Sequence, residues 1–229
     1  EEIRSGGERL PHTLNTVIDL AQIEAGVMDV ASEPVELSNL AESVAADHRD
    51  DLRGGRLTME VEFVVESLRV RAHRASLERI LDQLLDNAIK FTEQGTIRLS
   101  VREEGIRAAV VVEDTGRGMD PEFIDRAFLP FAQASSGTTR THEGTGLGLT
   151  LVHRLTEAMD GHLDVETDPG EGSRFTIWLQ RVPDDAEDGG GATGTDGAAS
   201  APENESRSSA GGRSPAREPR QIDASIGSM

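Results

Sequence analysis

A glycine-rich run that leads directly into a helix constrains this chain most strongly. Residues 142–155 read HEGTGLGLTLVHRL, in which Gly144, Gly146 and Gly148 alternate with small or apolar residues before a helical pattern begins. Glycines that open a helix expose backbone N–H groups at the positive end of the helix dipole, where an anion, often a phosphate, binds. The run therefore predicts a phosphate-binding helix start, but it does not say which class of nucleotide protein contains it.

The composition favours an acidic folded domain. The 229 residues include 42 acidic and 23 basic side chains, the formal net charge is −19, and Lys90 is the only lysine. Such a charge argues against nucleic-acid binding as the main role. The chain has no cysteine, hence no disulfide or thiolate chemistry. No apolar run is long enough to span a membrane, so we expect a cytoplasmic domain, while the non-Met first residue leaves room for a membrane anchor upstream.

The pattern of apolar residues divides the chain into three parts. In the first part, residues 1–26, the apolar stripe predicts an amphipathic helix over residues 1–25 that Gly26 ends, and this helix requires a partner helix. Residues 27–182 mix strand and helix patterns and predict an α+β fold, a two-layer sandwich with helices on one face of a mixed sheet. Within this part, Ser38 and Ser76 are the expected N-caps of the first two helices. Residues 183–229 are acidic, rich in Gly, Ser and Ala and almost free of large apolar side chains, so we expect a disordered tail.

A second glycine pair follows a strand that ends in an acidic residue. Residues 110–120 read VVVEDTGRGMD. A carboxylate at the position of Asp114 can accept a hydrogen bond from an exocyclic amine, and Gly116 and Gly118 let the backbone approach a flat ring. A strand followed by an ordinary turn, with Asp114 as its cap, explains the same pattern. Taken alone, this motif leaves both interpretations open.

The helix LERILDQLLDNAIKF contributes a third polar group. Asn87 and Lys90 are three residues apart and share one helix face. An amide oxygen suits a Mg²⁺ ion that bridges phosphates, and an ammonium group can contact a phosphate as a point charge. A solvated polar pair near a helix end is the alternative. The glycine spacing fits neither a Rossmann motif nor a Walker A loop, which needs a lysine after its last glycine.

The motifs occur in an order that resembles one family. NAIKF (87–91), DTGRGMD (114–120), FLPFAQ (128–133) and GTGLGL (144–149) are similar to the N box, first glycine box, F box and second glycine box of sensor histidine kinases, whose ATP-binding domains have the Bergerat (GHKL) fold. Residues 4–26 resemble the second helix of that family's dimerisation and phosphotransfer hairpin. The segment 131–149 is most similar to the lid of hybrid kinases of the phosphorelay type.

The resemblance implies roles for the residues of three motifs. Asp114 would bind the adenine amine, with Gly116 and Gly118 beside the base. Asn87 would hold Mg²⁺, and Lys90 would contact a phosphate.

The resemblance also implies contacts in the lid and beyond it. Phe128 and Phe131 would anchor the lid, although plain core residues at both positions are an equal alternative. Arg140 is a weaker phosphate candidate and Thr176 a weaker neighbour of the base. The segment that would cradle the phosphates consists of Gly144, Thr145, Gly146, Leu147 and Gly148.

Two positions depart from related patterns. Gln83 stands where gyrase- and chaperone-type proteins of the same fold have a general-base glutamate, and an amide cannot accept a proton near neutral pH. Water activation is therefore disfavoured, and transfer to a protein acceptor is favoured. Glu143 stands where the lid often has glycine; a carboxylate there would either repel the triphosphate or point to solvent.

The expected phosphoacceptor is missing. None of the six histidines has the sequence context of the family's acceptor; His142 is followed by an acidic residue but then by Gly144. The resemblance implies a protein-histidine kinase that transfers the ATP γ-phosphate to a histidine on a first hairpin helix absent from this sequence, within a homodimer, for relay to a response-regulator aspartate. The alternative is a nucleotide-sensing or dimerisation module without transfer activity.

Overall fold

The computed structural model describes most of the chain. It covers residues 2–27, 31–52, 55–63, 65, 67–133 and 145–183, with side chains described from Thr13 onward. Arg140, His142, Glu143 and Gly144 lie outside the described residues. So does the predicted tail after Pro183.

Helices and strands follow one another in the order that the sequence pattern indicates. In chain order they are α1 (Glu2–Glu24), β1 (Glu33–Glu36), α2 (Leu37–Asp47), β2 (Leu57–Phe63), β3 (Arg69–Ala72), α3 (Arg74–Phe91), β4 (Gly95–Glu104), β5 (Arg107–Asp114), α4 (Pro121–Ala127), α5 (Gly148–Ala158), β6 (His162–Asp168) and β7 (Gly172–Gln180). Five strands form one sheet in the order β2-β4-β5-β7-β6, while β1 and β3 pair separately. Within the large sheet β2 runs parallel to β4, and the other pairs are antiparallel.

One face of the large sheet packs against helices. Alternate residues of β5, including Val110 and Val112, are buried together with Leu81, Leu84 and Leu85 of α3. Helices α2 and α5 add side chains to the same cluster. Each fully buried leucine contributes about 1.5–3 kcal/mol. The resulting two-layer sandwich confirms the predicted fold class and fixes α3, which supplies several site residues.

The other face of the large sheet carries a row of alternating charges. Glu60, Arg98, Glu113, Arg174 and Glu166 are register neighbours across all five strands. The nearest oxygens of Glu60 and Glu113 lie 2.9 Å from Arg98 and 3.1 Å from Arg174, respectively. Opposite charges that face each other across strands stabilise a sheet that is open to water. The row explains why helices cover only one face.

The two predicted serine caps are wrong. Helices α2 and α3 begin before Ser38 and Ser76, and neither helix has a side-chain cap hydrogen bond. The Ser38 hydroxyl lies 3.4 Å from the carbonyl oxygen of Val65, and Ser76 Oγ lies 2.8 Å from Nδ1 of His73. Each serine lies inside the first turn, because the apolar residues around it pack in the core and extend the helix towards its N-terminus.

Helix α1 has two different sides. Thr16, Asp19 and Leu20 are buried, whereas Leu14 and Ile18 are 58% and 43% exposed. The buried side packs against α5 and the core. Across the part of the chain that the structure describes, no helix combines the length and apolarity needed to cross a membrane.

Candidate functional site

Asp114 ends β5 as a buried carboxylate. Only 8% of the residue is exposed, and its Oδ1 accepts a hydrogen bond of 2.8 Å from the backbone N–H of Gly116. Burial raises the pKa of Asp114, while the N–H groups of Gly116 and Ser173 and the nearby Thr92 hydroxyl lower it. A desolvated acceptor held by backbone donors suits a ligand group that donates a hydrogen bond, such as an exocyclic amine.

The two glycines after Asp114 are required by crowding. A side chain at Gly116 would place its Cβ 2.6 Å from the carbonyl oxygen of Phe91 and 2.7 Å from Oδ1 of Asp114. Gly118 has a φ of +62°, and a side chain there would collide with the carbonyl of Asp168. The turn therefore lies tightly between the C-terminal end of α3 and the β6–β7 hairpin.

The C-terminal end of α3 brings polar and cationic groups to this turn. Asn87 and Lys90 are partly buried, and the Lys90 ammonium lies 5.0 Å from the centre of the Phe91 ring. The guanidinium of Arg117 lies 4.4 Å from the same ring, within the range of a cation–π interaction. Our sequence analysis missed Arg117, although a basic residue between two site glycines was a usable signal.

The start of α5 is available to an anion. Leu147, the residue before the helix, is buried, and no side chain among the described residues caps the helix. Gly146 has a φ of +70°, and a side chain on it would lie 2.7 Å from the carbonyl oxygen of Ala132. The first N–H groups of an uncapped helix are a favourable anion site. The structure places Gly146, Leu147 and Gly148 at this helix start, and their phosphate-binding role stays a prediction.

Gln83 joins α3 to the start of α5. A Cβ added to Gly148 would lie 2.5 Å from Cδ and 2.6 Å from Nε2 of Gln83. Gln83 also precedes Asn87 by four residues, so both side chains lie in one row along α3. The Gln83 amide is thus packed against the start of α5.

The two phenylalanines of the F box differ. Phe128 is partly buried against the core, and its ring centre lies 5.7 Å from that of His153. Phe131 is 70% exposed and has a φ of +64°. Phe128 therefore anchors the chain beside α5, whereas Phe131 presents its ring to solvent. Two further predicted residues, Arg140 and Gly144, lie outside the described residues.

Comparison with known proteins agrees with this arrangement. Residues 72–183 match the family described as histidine kinase-, DNA gyrase B- and HSP90-like ATPases. The circadian input-output histidine kinase CikA of Synechococcus elongatus is 39% identical over 181 residues, 77% of this chain and 24% of CikA. The sensor histidine kinase GacS of Pseudomonas protegens is 34% identical over 201 residues, 81% of this chain and 21% of GacS.

Solved structures that resemble this chain are also histidine kinases. Full-length ShkA in complex with AMPPNP superimposes with a TM-score of 0.69 at 28% identity, covering 78% of this chain and 37% of ShkA. The histidine kinase domain of the E. coli osmosensor EnvZ is 31% identical with a TM-score of 0.51, covering 71% of this chain and 96% of that domain. This chain belongs to the histidine kinase family. Its sandwich is the catalytic domain of a sensor histidine kinase, and the chain spans 24% or less of the two curated relatives named above.

The register of the histidine kinase sheet separates Thr176 from Asp114. Thr176 pairs with Val111 and Asp164, whereas Asp114 pairs with Ser173. Because adjacent residues of a strand point to opposite faces, Thr176 and Asp114 lie on different faces of the sheet. The structure therefore brings Ser173, which our sequence analysis missed, to the carboxylate instead of Thr176. Alternation from the buried Phe175 puts Ser173 on the same face as Phe175, but its pairing with Asp114 follows only from the register.

Proposed function

We propose that this chain binds ATP with Mg²⁺ and transfers the γ-phosphate to a histidine on a partner helix. The observation that carries the proposal is the position of the buried Asp114, next to the end of the helix whose Gln83 contacts the uncapped start of α5 at Gly148. One rigid helix, α3, thus links a group suited to a base with a group suited to phosphates.

The base would be recognised at the end of β5. Asp114 would accept a hydrogen bond from the adenine amine. The backbone at Gly116 and Gly118 would lie against the ring, since no side chain fits at either position. Burial of the carboxylate makes recognition selective, because a base that offers an acceptor there would leave two acceptors facing each other.

The phosphates would lie between α3 and α5. The N–H groups at the start of α5 would contact them, together with Lys90 and Arg117. Asn87 would hold Mg²⁺, which neutralises phosphate charge when bound. Among the described residues no group of three or more His, Cys, Asp or Glu side chains could hold a metal. Phosphate oxygens and water would therefore have to complete the shell of the ion.

The preferred acceptor is a protein side chain rather than water. The Gln83 amide cannot take a proton from water, so the contribution of the site is positioning and charge stabilisation. We propose that the acceptor histidine is on a first hairpin helix, packed on α1 within a homodimer in the cytoplasm. A response-regulator aspartate would then receive the phosphoryl group.

Titration calorimetry with Mg-ATP tests the base assignment. Asp114→Asn should abolish measurable binding, because the amide offers its own N–H groups to the adenine amine. Glu113→Gln is the matched control, since Glu113 is adjacent in the strand but lies on the opposite face; it should bind like the wild type. Unchanged binding by Asp114→Asn would refute the assignment.

A transfer assay tests the reaction. The chain is incubated with labelled ATP and a separate hairpin that carries an acceptor histidine followed by an acidic residue. Label on the hairpin is the expected result. Binding without label would favour a nucleotide-sensing module, and phosphate release by the chain alone would contradict the argument from Gln83.

A further inference from the structure

The contact between α1 and the sandwich has a polar centre. Thr16 is 3% and Asp19 is 7% exposed, and both lie on the side of α1 that faces the sandwich. Among the α1 side chains that the structure describes, the apolar ones that pack on the core are Leu20, which is buried, and Ile23, which is partly buried. Polar groups therefore form a large part of the described contact and help to fix how α1 sits.

An ion pair occupies this polar centre. Oδ2 of Asp19 lies 2.5 Å from Nη2 of Arg79 on α3. The side chain of Asp19 is 10% exposed and that of Arg79 is 38% exposed. A carboxylate so buried needs a partner, and removing one member of a buried pair is strongly unfavourable. The best-attested use of such pairs is to specify one register between two elements.

Arg79 lies in the same row of α3 as the site residues. Arg79, Gln83 and Asn87 are spaced by four residues, which places their side chains along one side of the helix. Gln83 in turn contacts Gly148 at the start of α5. While the ion pair is closed, α1 is therefore fixed to the helix that organises the proposed nucleotide site.

The exposed side of α1 indicates where a second helix would pack relative to the proposed nucleotide site. Leu14, Val17 and Ile18 form an exposed apolar stripe that suits a second helix. An α-helix with its side chains is about 10–12 Å thick, so α1 stands between the sandwich and a helix packed on that stripe. Phosphoryl transfer needs reacting atoms about 3–3.5 Å apart. The docked arrangement thus keeps the site away from a histidine on such a helix.

We propose that the Asp19–Arg79 ion pair is a latch that holds the catalytic domain on α1 in a non-transferring register. The effect of the latch on phosphoryl transfer rests on the proposed function, whereas the attachment of α1 by the ion pair does not. Opening the ion pair frees the domain to move relative to α1, while the nucleotide site on α3 and α5 stays intact.

Hydrogen exchange of the amides of residues 13–24 tests the geometry without any activity. Arg79→Glu and Asp19→Asn in the full chain should each speed this exchange about tenfold or more, and leave exchange in β5 unchanged. Arg74→Glu is the matched control, because Arg74 is an exposed arginine at the start of α3; it should have no effect. Unaltered exchange of residues 13–24 in either latch variant would overturn the proposal.

A transfer measurement tests the consequence. With a separate acceptor hairpin and labelled ATP, Arg79→Glu should transfer several-fold faster than the wild type, with its Mg-ATP affinity unchanged. Equal or slower transfer would overturn the latch. If wild-type chain bound no Mg-ATP, the proposed function would fail instead, and the exchange experiment would still decide whether the ion pair holds α1.

Discussion

The contact between Gly148 and Gln83 allows a sharp test of how the proposed phosphate helix is held. Gly148 is the first residue of α5, and its φ is not in the left-handed region. A methyl group is therefore compatible with the backbone, and only the neighbouring amide opposes it. The Gln83 amide is the far end of a flexible side chain and can move aside at a small cost. We therefore expect Gly148→Ala to change stability little in the presence of Gln83 and to stabilise the protein once that side chain is removed.

The magnitude follows from the distances. The added Cβ would lie 2.5 Å from Cδ of Gln83, whereas carbon atoms in contact are about 3.5–4.0 Å apart, so one of them must move by about 1 Å. The atoms that must move are the far end of a flexible side chain, so the cost is that of an off-rotamer amide, about 0.5–1.5 kcal/mol, and alanine regains about 0.5–1 kcal/mol over glycine in a helix. The wild-type background should therefore change by less than about 0.5 kcal/mol, and a Gln83→Ala background should gain about 0.5–1 kcal/mol.

Urea unfolding of the wild type, the two single variants and the double variant measures this coupling. The expected coupling energy is about 1 kcal/mol, which is the cost of displacing the Gln83 amide. Gln94→Ala, which removes an exposed glutamine after α3, serves as the control background and should leave the cost of Gly148→Ala unchanged. The same free-energy change in all three backgrounds would refute the packing argument.

Three further predictions concern single positions. A hydrogen bond to a carboxylate of α3 is the main cause that raises the pKa of His48, against the effect of its burial. Protonated His48 therefore stabilises the fold fully below its usual pKa of 6.5, and this stabilisation is lost as pH rises through the raised pKa of the folded state. Unfolding of the wild type and of His48→Gln at several pH values measures it. Free energies of unfolding that depend on pH in the same way in both proteins would contradict it. Gly118→Ala should cost at least about 1–2 kcal/mol from the left-handed backbone alone, measured by urea unfolding; a smaller loss would show that the turn relaxes. By thermal unfolding, Phe128→Ala should cost about 1–3 kcal/mol and Phe131→Ala less than about 0.5 kcal/mol, because only the first ring is packed; equal losses would contradict this difference.

The parts of the fold that the sequence predicted are those with a local cause. Alternating apolar residues on either side of Glu104 and Gly105 predict a hairpin, and β4 and β5 form it. The glycine pair after Asp114 predicts a turn or a close approach of the backbone to a ring, and the structure shows a turn crowded by Phe91 and Asp168. Short-range patterns and turn residues suffice for such features, since their physical cause lies within a few positions.

The remaining features depend on contacts between distant segments. Whether Ser173 or Thr176 faces Asp114 depends on the register of β7 against β5. Nothing in the local sequence near Gly148 indicates that Gln83 lies against it, because that contact requires α3 and α5 to pack. For the same reason the sequence predicted serine caps that the packed helices do not use.

The arrangement of α3 explains why these distant contacts belong to one site. The buried side of α3 fixes the helix in the core. Its polar side contacts α1 through Arg79 and the start of α5 through Gln83. Asn87, one turn further along, would contact the ligand. A change at Gln83 should therefore alter the packing together with the site, whereas a change at Arg79 should alter the docking of α1 and leave the site intact. A change at the exposed Phe131 leaves the core unaltered, because no core packing depends on its ring. Stability and nucleotide affinity should thus vary together at Gln83, but not at Arg79 or Phe131.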